Sequence, residues 1–330
     1  MAEPHNIVPE PLAATPSDPD IIIVGAGPVG VYLAVRLATL GLTALVLEAS
    51  TSISSAPRAV THMPIMFAEF KRAGIFSTLK QASMAHSGAL SFRKTADQSL
   101  IEHIPPIPGR PGPIVVPQKQ FTETLIEAAG KLEGARIVMG TKVTGFEDRG
   151  SEGGVTVEAE EVSTGEKKTF HAKFLVGADG GSSFVRRQAG ISYSGTSLPW
   201  KLVAADVAYP FEKYGFDGAN FMLDDLNFGN IAITSELPDG RTLWRVGCAF
   251  PDSMSDEEVM AALPDKFDKM FPGPRPLAYE LMGAAPYTAR QLCVPEFRKG
   301  RVLLVGDAAH REFLPAFPPL LFSVVFEVSC

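Results

Sequence analysis

Residues 20–50 read DIIIVGAGPVGVYLAVRLATLGLTALVLEAS. Residues 21–24 form a β-branched run of the kind a buried parallel strand requires, and ALVLE at 44–48 is a second such run. Between them, residues 29–40 carry apolar residues at helical spacing and stop at Gly41, a natural residue for the left-handed position just past a helix end. The stretch is therefore a strand, helix, strand unit. Gly25, Gly27 and Gly30 make GxGxxG at its first turn. The first glycine permits the tight turn, the second lets a pyrophosphate approach the backbone, and the third lets helix pack on strand. The helix then points its positive end at the phosphates. Glu48 closes the second strand, 18 positions after Gly30, where a carboxylate can accept both hydroxyls of an adenosine ribose and would repel a 2′-phosphate. Together these features predict a dinucleotide site and leave open whether it takes NAD or FAD.

Outside this unit the chain is ordinary globular material: 330 residues, 45% hydrophobic and 20% charged, long enough for two lobes. A net charge of −7, without a clustered Lys/Arg stripe, argues against a nucleic-acid partner. Cys248, Cys293 and Cys330 are widely spaced and outside any CxxC or Cys/His pattern, so neither a disulfide framework nor a metal site is expected. Residues 1–19 read as a disordered Pro-rich arm; they lack the basic and apolar regions of a signal peptide, and a cytoplasmic location is expected. The longest apolar run, LLFSVVF at 320–326, falls short of the ~20 residues a membrane-spanning helix needs.

Four further ligand-like segments follow in order. PRA at 57–59 places Arg58 between a loop and an amphipathic helix, and VPQ at 116–118 places Gln118 at the start of another. GADG at 177–180 carries Asp179 out of a strand, and GRVLLVGDAAH at 300–310 carries Asp307 out of the last one. Taken singly, each has a plain structural explanation as a loop cation, a helix start, a turn or an N-cap. Taken with GxGxxG and in this order, they give the chain a resemblance over residues 18–315 to the single-component FAD-dependent aromatic hydroxylases, the group of para-hydroxybenzoate and phenol hydroxylases.

The resemblance implies an α/β (α+β mixed) fold, a Rossmann-like FAD-binding lobe with an antiparallel-sheet substrate lobe. It chooses FAD as cofactor, held by Gly25, Gly27, Gly30, Glu48, Arg58, Gln118, Asp179 and Asp307. It further implies NAD(P)H as co-substrate without a second GxGxxG, O2 activation through a flavin C4a-hydroperoxide, and a phenolic or polyketide-like small-molecule substrate of the sort met in secondary metabolism. The cofactor lobe is expected at 20–81, 112–191 and 295–330, and the substrate lobe at 82–111 and 192–294. In the latter, the runs at 201–209, 230–237 and 242–250 predict strands, the last two joined by a turn at Pro238-Asp239-Gly240. Residues 255–271 start with a Ser N-cap, and Pro264 predicts two short helices there. Phe221, Phe228, Tyr209, Tyr214 and Tyr287 are candidate pocket liners, with core packing the commoner fate for such rings; no catalytic side chain is assigned, His310 included.

The ending departs from the family. There, GDAAH leads into a proline loop, a Gly-rich stretch and a long helix aimed at the flavin; here REFLPAFPPLLFSVVFEVSC follows. Pro318 and Pro319 forbid a regular helix through that spot, so the sequence reads as C-terminally truncated, with a tail resembling a frame or splicing artefact and a tendency to aggregate. Two alternatives therefore stand beside the hydroxylase: an inactive remnant of one, and an NAD-dependent dehydrogenase.

Overall fold

The computed structural model describes residues 18–55, 60–83 and 88–311. Strand β1 (Ile21–Val24), helix α1 (Pro28–Thr39) and strand β2 (Ala44–Leu47) form where the sequence predicts them. Gly41 takes φ +81°, the left-handed backbone that ends the helix. The two strands lie side by side in a six-stranded sheet in the order 298–299, 302–304, 174–177, β1, β2, 135–138, parallel throughout except at the 298–299 edge.

Both faces of this sheet are covered, which is why β1, β2 and the 302–304 strand are apolar at every position instead of alternating. Ile23, Val46 and Val176 face α1 and the Gln118–Ala129 helix, with Val31, Ala34, Val35 and Leu125 fully buried between them. Ile22, Leu45 and Leu175 face the other way, toward Val143, Val155 and Val157. Those residues belong to a three-stranded antiparallel sheet (Thr141–Asp148, Val155–Glu161, Lys167–Ala172) inserted before the Phe174–Gly177 strand. Each fully buried aliphatic side chain contributes roughly 1.5–3 kcal/mol, so this two-sided burial fixes the strand register, and the register sets the site.

A second, eight-stranded sheet is built from 90–94, 100–104, 194–208, 219–223, 229–236, 242–251, 280–293 and 310–311. The three strands predicted at 201–209, 230–237 and 242–250 lie within it and pair antiparallel. The sheet departs from an all-antiparallel one at a single pair: Ala219–Leu223 runs parallel to Leu90–Lys94. The buried Arg93 pins that junction, donating from Nε to Asn220 Oδ1 at 3.0 Å and from Nη1 to the Gln98 carbonyl at 3.2 Å, with its guanidinium over the Phe216 ring. Three groups separated in sequence hold the pair, a feature no local pattern announces.

One face of this sheet packs on a single helix, Asp256–Met270, where two short helices were expected. Pro264 is accommodated inside it because Val259, Leu263, Phe267 and Met270 recur on one side and are all buried against the sheet. The Ser255 capping box with Glu258 secures the N-terminus. A proline removes one intrahelical hydrogen bond, and burial of four large side chains outweighs it. Tyr209 joins this core: it is buried beside Phe211 and Phe271 and its hydroxyl donates to the Pro272 carbonyl at 2.6 Å. Tyr214 stacks on it. Both therefore leave the set of pocket liners, while Phe221 lies on the sheet's other face.

His62 sits in the cofactor-side core, stacked on Phe121 at 4.4 Å and edge-on to Phe70, and its buried Nε2 has no hydrogen-bond partner among the described residues. Burial lowers its pKa below the ordinary 6.5. The folded state thus binds fewer protons than the unfolded one, and stability drops as pH falls below about 6.5 until the folded pKa is passed. His62→Leu is expected to keep or raise the melting temperature at pH 7 and to lose less stability than the parent between pH 7 and 5. Equal pH slopes in thermal melts would refute this.

Candidate functional site

The registers place Val24 opposite both Leu47 and Gly177, and Gly177 opposite Leu304. Four parallel strands therefore end on one line, and the turns leaving them must share the space beyond it. Three of those turns carry the motifs at Gly25–Gly30, Gly177–Gly180 and Gly306-Asp307; the fourth strand delivers Glu48. This is the carboxyl edge of an open parallel sheet, where such folds bind ligands.

Contacts in the turns explain the glycines individually. Gly25 has φ +106°, and a Cβ there would lie 2.5 Å from the Ala178 carbonyl oxygen; at Gly30 it would lie 2.0 Å from the Gly25 oxygen and 3.2 Å from Ala178 Cβ. Gly25 is demanded by the close approach of the GxGxxG loop to the GADG turn, and Gly30 first by the tightness of the loop itself, with Ala178 pressing from a second side. Gly27 differs. Its φ of −67° suits any residue, and a Cβ there would meet nothing within 4 Å. It faces open space at the N-terminus of α1, where no side chain caps the helix and no acidic residue occupies the first turn. Amides with no side-chain cap among the described residues, a positive dipole end and room for a bulky anion coincide there.

Glu48 bridges the same region. Its Oε2 accepts from the Ala26 amide and its Oε1 from the Ser50 amide, each at 2.8 Å, so the carboxylate is held against the glycine loop at the end of β2. Asp179 organises its own turn: Oδ1 accepts from Ser183 Oγ at 2.5 Å and Oδ2 from the amides of Phe184 and Val185 at 2.6 and 3.1 Å. It thereby starts the short Phe184–Gln188 helix and fixes Ala178 against Gly25 and Gly30. Asp307 is exposed, on a 3₁₀ turn that begins at Gly306. Gly306 has φ +56°, and a Cβ there would press on Val29 at the start of α1 at 3.0 Å. The third turn therefore closes onto the same helix end.

Two residues that sequence reading missed tie these turns together. The Arg186 guanidinium, nearly all buried, donates to the Ala308 carbonyl at 3.1 Å and the Gly181 carbonyl at 3.2 Å and lies over the Tyr193 ring. The Tyr193 hydroxyl donates to the Asp307 carbonyl at 3.0 Å, and burial pushes its pKa up to about 12, so it remains a donor. A charged residue inside the short helix after GADG is the only sequence signal for Arg186; its partners lie 5 and 122 positions away.

Gln118 is half-buried at the first position of the Gln118–Ala129 helix, where its carbonyl accepts from Thr122 Oγ1. The preceding Ile114–Val115 strand pairs with Thr61–His62, which brings Gln118 near the segment after Arg58. No hydrogen bond among the described residues joins it to the three turns. Arg58 lies outside the described residues, as do residues 312–330 and the expectations placed on them. Among the described residues no group of three or more His, Cys, Asp or Glu could hold a metal, and no helix is long and apolar enough to cross a membrane.

A parallel sheet with a glycine-loop helix end, an acidic residue closing the second strand and two later turns converging on that helix defines a flavoprotein-type dinucleotide fold. The residues fit FAD: Gly27 leaves a cradle that a side chain would fill, beside uncapped amides. Comparison with known proteins agrees. The family model described as FAD binding domain matches residues 18–316, and the chain belongs to that family. It is a flavin-dependent oxidoreductase similar to para-nitrophenol 4-monooxygenase of Pseudomonas sp. (strain WBC-3), at 31% identity over 88% of this chain and 71% of that protein. It is also similar to 6-hydroxy-3-succinoylpyridine 3-monooxygenase of Pseudomonas putida, at 28% identity over 88% of this chain and 72% of that protein. The crystal structure of p-nitrophenol 4-monooxygenase from Pseudomonas putida superposes with a TM-score of 0.79 at 29% identity, over 89% of this chain and 73% of that one. The resemblance to FAD-dependent aromatic hydroxylases, the mixed α/β fold and the choice of FAD all hold.

Proposed function

We propose that this chain hydroxylates the ring of a phenolic or polyketide-like small molecule, with NAD(P)H as reductant and O2 as oxygen source, in the cytoplasm. One oxygen atom enters the substrate C–H bond and the other leaves as water, with NAD(P)H supplying the two electrons. The observation that carries the reading is the meeting of three motif turns at the uncapped end of α1. A dehydrogenase using the glycine loop alone gives no role to the other two.

In this reading the amides at Gly27 and the first turn of α1 take the pyrophosphate, and Glu48 takes the ribose. Asp179 and Asp307 shape and line the middle of the cofactor, with Arg58 and Gln118 added by family resemblance. The bound flavin supplies the redox and oxygen-activating chemistry. The chain's own part is to fix the cofactor, present the ring and keep water away. We assign residues 20–81, 112–191 and 295 onward to cofactor binding, and 82–111 with 192–294 to the substrate. The sheet face opposite the Asp256–Met270 helix supports that assignment: it carries the stacked Phe92 and Phe221, and the Trp200–Phe228 pair adds a second aromatic contact in the same lobe.

The test is a visible spectrum of the protein after incubation with FAD and desalting, followed by NADH and NADPH oxidation with a panel of phenols. A retained flavin band and phenol-dependent oxidation with a hydroxylated product are expected. A colourless protein, or oxidation that no phenol stimulates, would overturn the proposal.

A further inference from the structure

The face of the eight-stranded sheet turned away from the Asp256–Met270 helix has a definite composition, set by the pairing. Ala285, Ala204, Gly247, Asn230, Phe221 and Phe92 are successive cross-strand partners. They alternate with Ala284, Ala205, Val246, Ile231 and Met222, which pack against the helix. A row of small residues thus meets two stacked rings, and together they form the floor of this face. Asn230 is pressed over Gly247, where a Cβ would lie 2.1 Å from its Oδ1.

The neighbouring row carries the charge. Asp206 is the cross-strand partner of Arg245, and Arg245 of Ala232. Arg245 Nε donates to Asp206 Oδ1 at 2.6 Å and Nη2 to Oδ2 at 3.2 Å, a fork-to-carboxylate pair. The side chains are only 11% and 19% exposed. An arginine beside an aromatic floor would ordinarily be a receptor for a substrate carboxylate. Here its fork is already filled by a carboxylate of the chain itself. An incoming anion would have to strip Asp206 from it, leaving an unpaired charge in a poorly solvated place, or sit against Asp206 and be repelled.

We infer that the Asp206–Arg245 pair makes this face selective for an uncharged phenol and sets it against aromatic acids. The inference rests on the proposed reading of this face as the substrate side. The specificity comes from occupying a group that would reward the wrong ligand, without any new attractive contact.

The test uses the FAD-loaded protein at pH 7 and follows the flavin spectrum during titration with two ligands of similar shape, 4-hydroxyacetophenone and 4-hydroxybenzoate. The parent is expected to bind the ketone at least tenfold more tightly. Asp206→Asn keeps the shape and removes the carboxylate's charge from beside the guanidinium, and is expected to shift the ratio at least tenfold toward the benzoate. Adding Arg245→Gln to it is expected to restore the preference for the ketone. Equal binding by the parent, or a ratio that Asp206→Asn does not move, overturns the inference and leaves the hydroxylase reading standing. If flavin is retained and neither ligand perturbs it, the assignment of this face falls, and the inference with it. Should Asp206→Asn fail to fold, the parent's ratio still decides, because equal binding of the two ligands overturns the inference.

Discussion

Gly27→Val is expected to yield a protein that folds and melts like the parent when no cofactor is present, yet retains no flavin after desalting. The backbone at Gly27 lies in an ordinary extended conformation and a Cβ there touches nothing within 4 Å, so the substitution introduces neither strain nor a clash. What it fills is the space in front of the α1 amides, where a pyrophosphate must come to van der Waals distance of the backbone. A loss of FAD affinity of about 100-fold or more is expected, about 3 kcal/mol. Gly30→Ala makes the contrast: its Cβ would lie 2.0 Å from a backbone oxygen, so that variant should lose stability even without cofactor. Thermal melts and flavin absorbance on the two variants separate the cases. A Gly27→Val protein that keeps its flavin band would show that the cofactor does not use this helix end.

Asp179→Ala should be the most damaging single change outside the glycines, lowering stability by roughly 2–4 kcal/mol and the melting temperature by several degrees. The carboxylate accepts three hydrogen bonds, two of them from amides that open the Phe184–Gln188 helix, and removal leaves those amides unsatisfied in a partly buried turn. The turn also presents Ala178 to Gly25 and Gly30, so FAD retention should fall together with stability. Asp179→Asn keeps one acceptor oxygen and should be intermediate. If Asp179→Ala melts like the parent while losing flavin, the residue acts on the cofactor alone and its part in the turn is dispensable.

Much of the cofactor side is legible in the amino-acid sequence because its signals are local. A β-branched run, a glycine loop, an amphipathic helix and a terminal acid within 31 residues are each dictated by neighbours in sequence, and β1, α1 and β2 form accordingly. That Gly25 and Gly30 must be glycine is also readable; that Gly25 meets the backbone of Ala178, some 150 residues later, is not. Pro264 misleads in the other direction. Local propensity counts the lost hydrogen bond, whereas the continuous helix depends on four side chains burying themselves in a sheet assembled from distant strands.

The glycine loop, its helix and strands, the acidic residue that closes the second strand and the order of the later motif turns are each written in adjacent residues and can be read from them. That Val24, Leu47, Gly177 and Leu304 end on one line, that Arg186 and Tyr193 clamp the turns together, and that Asp206 occupies Arg245 emerge from long-range pairing. Those are consequences of strand register, which the two-sided burial of the whole sheet sets and no short stretch of sequence encodes.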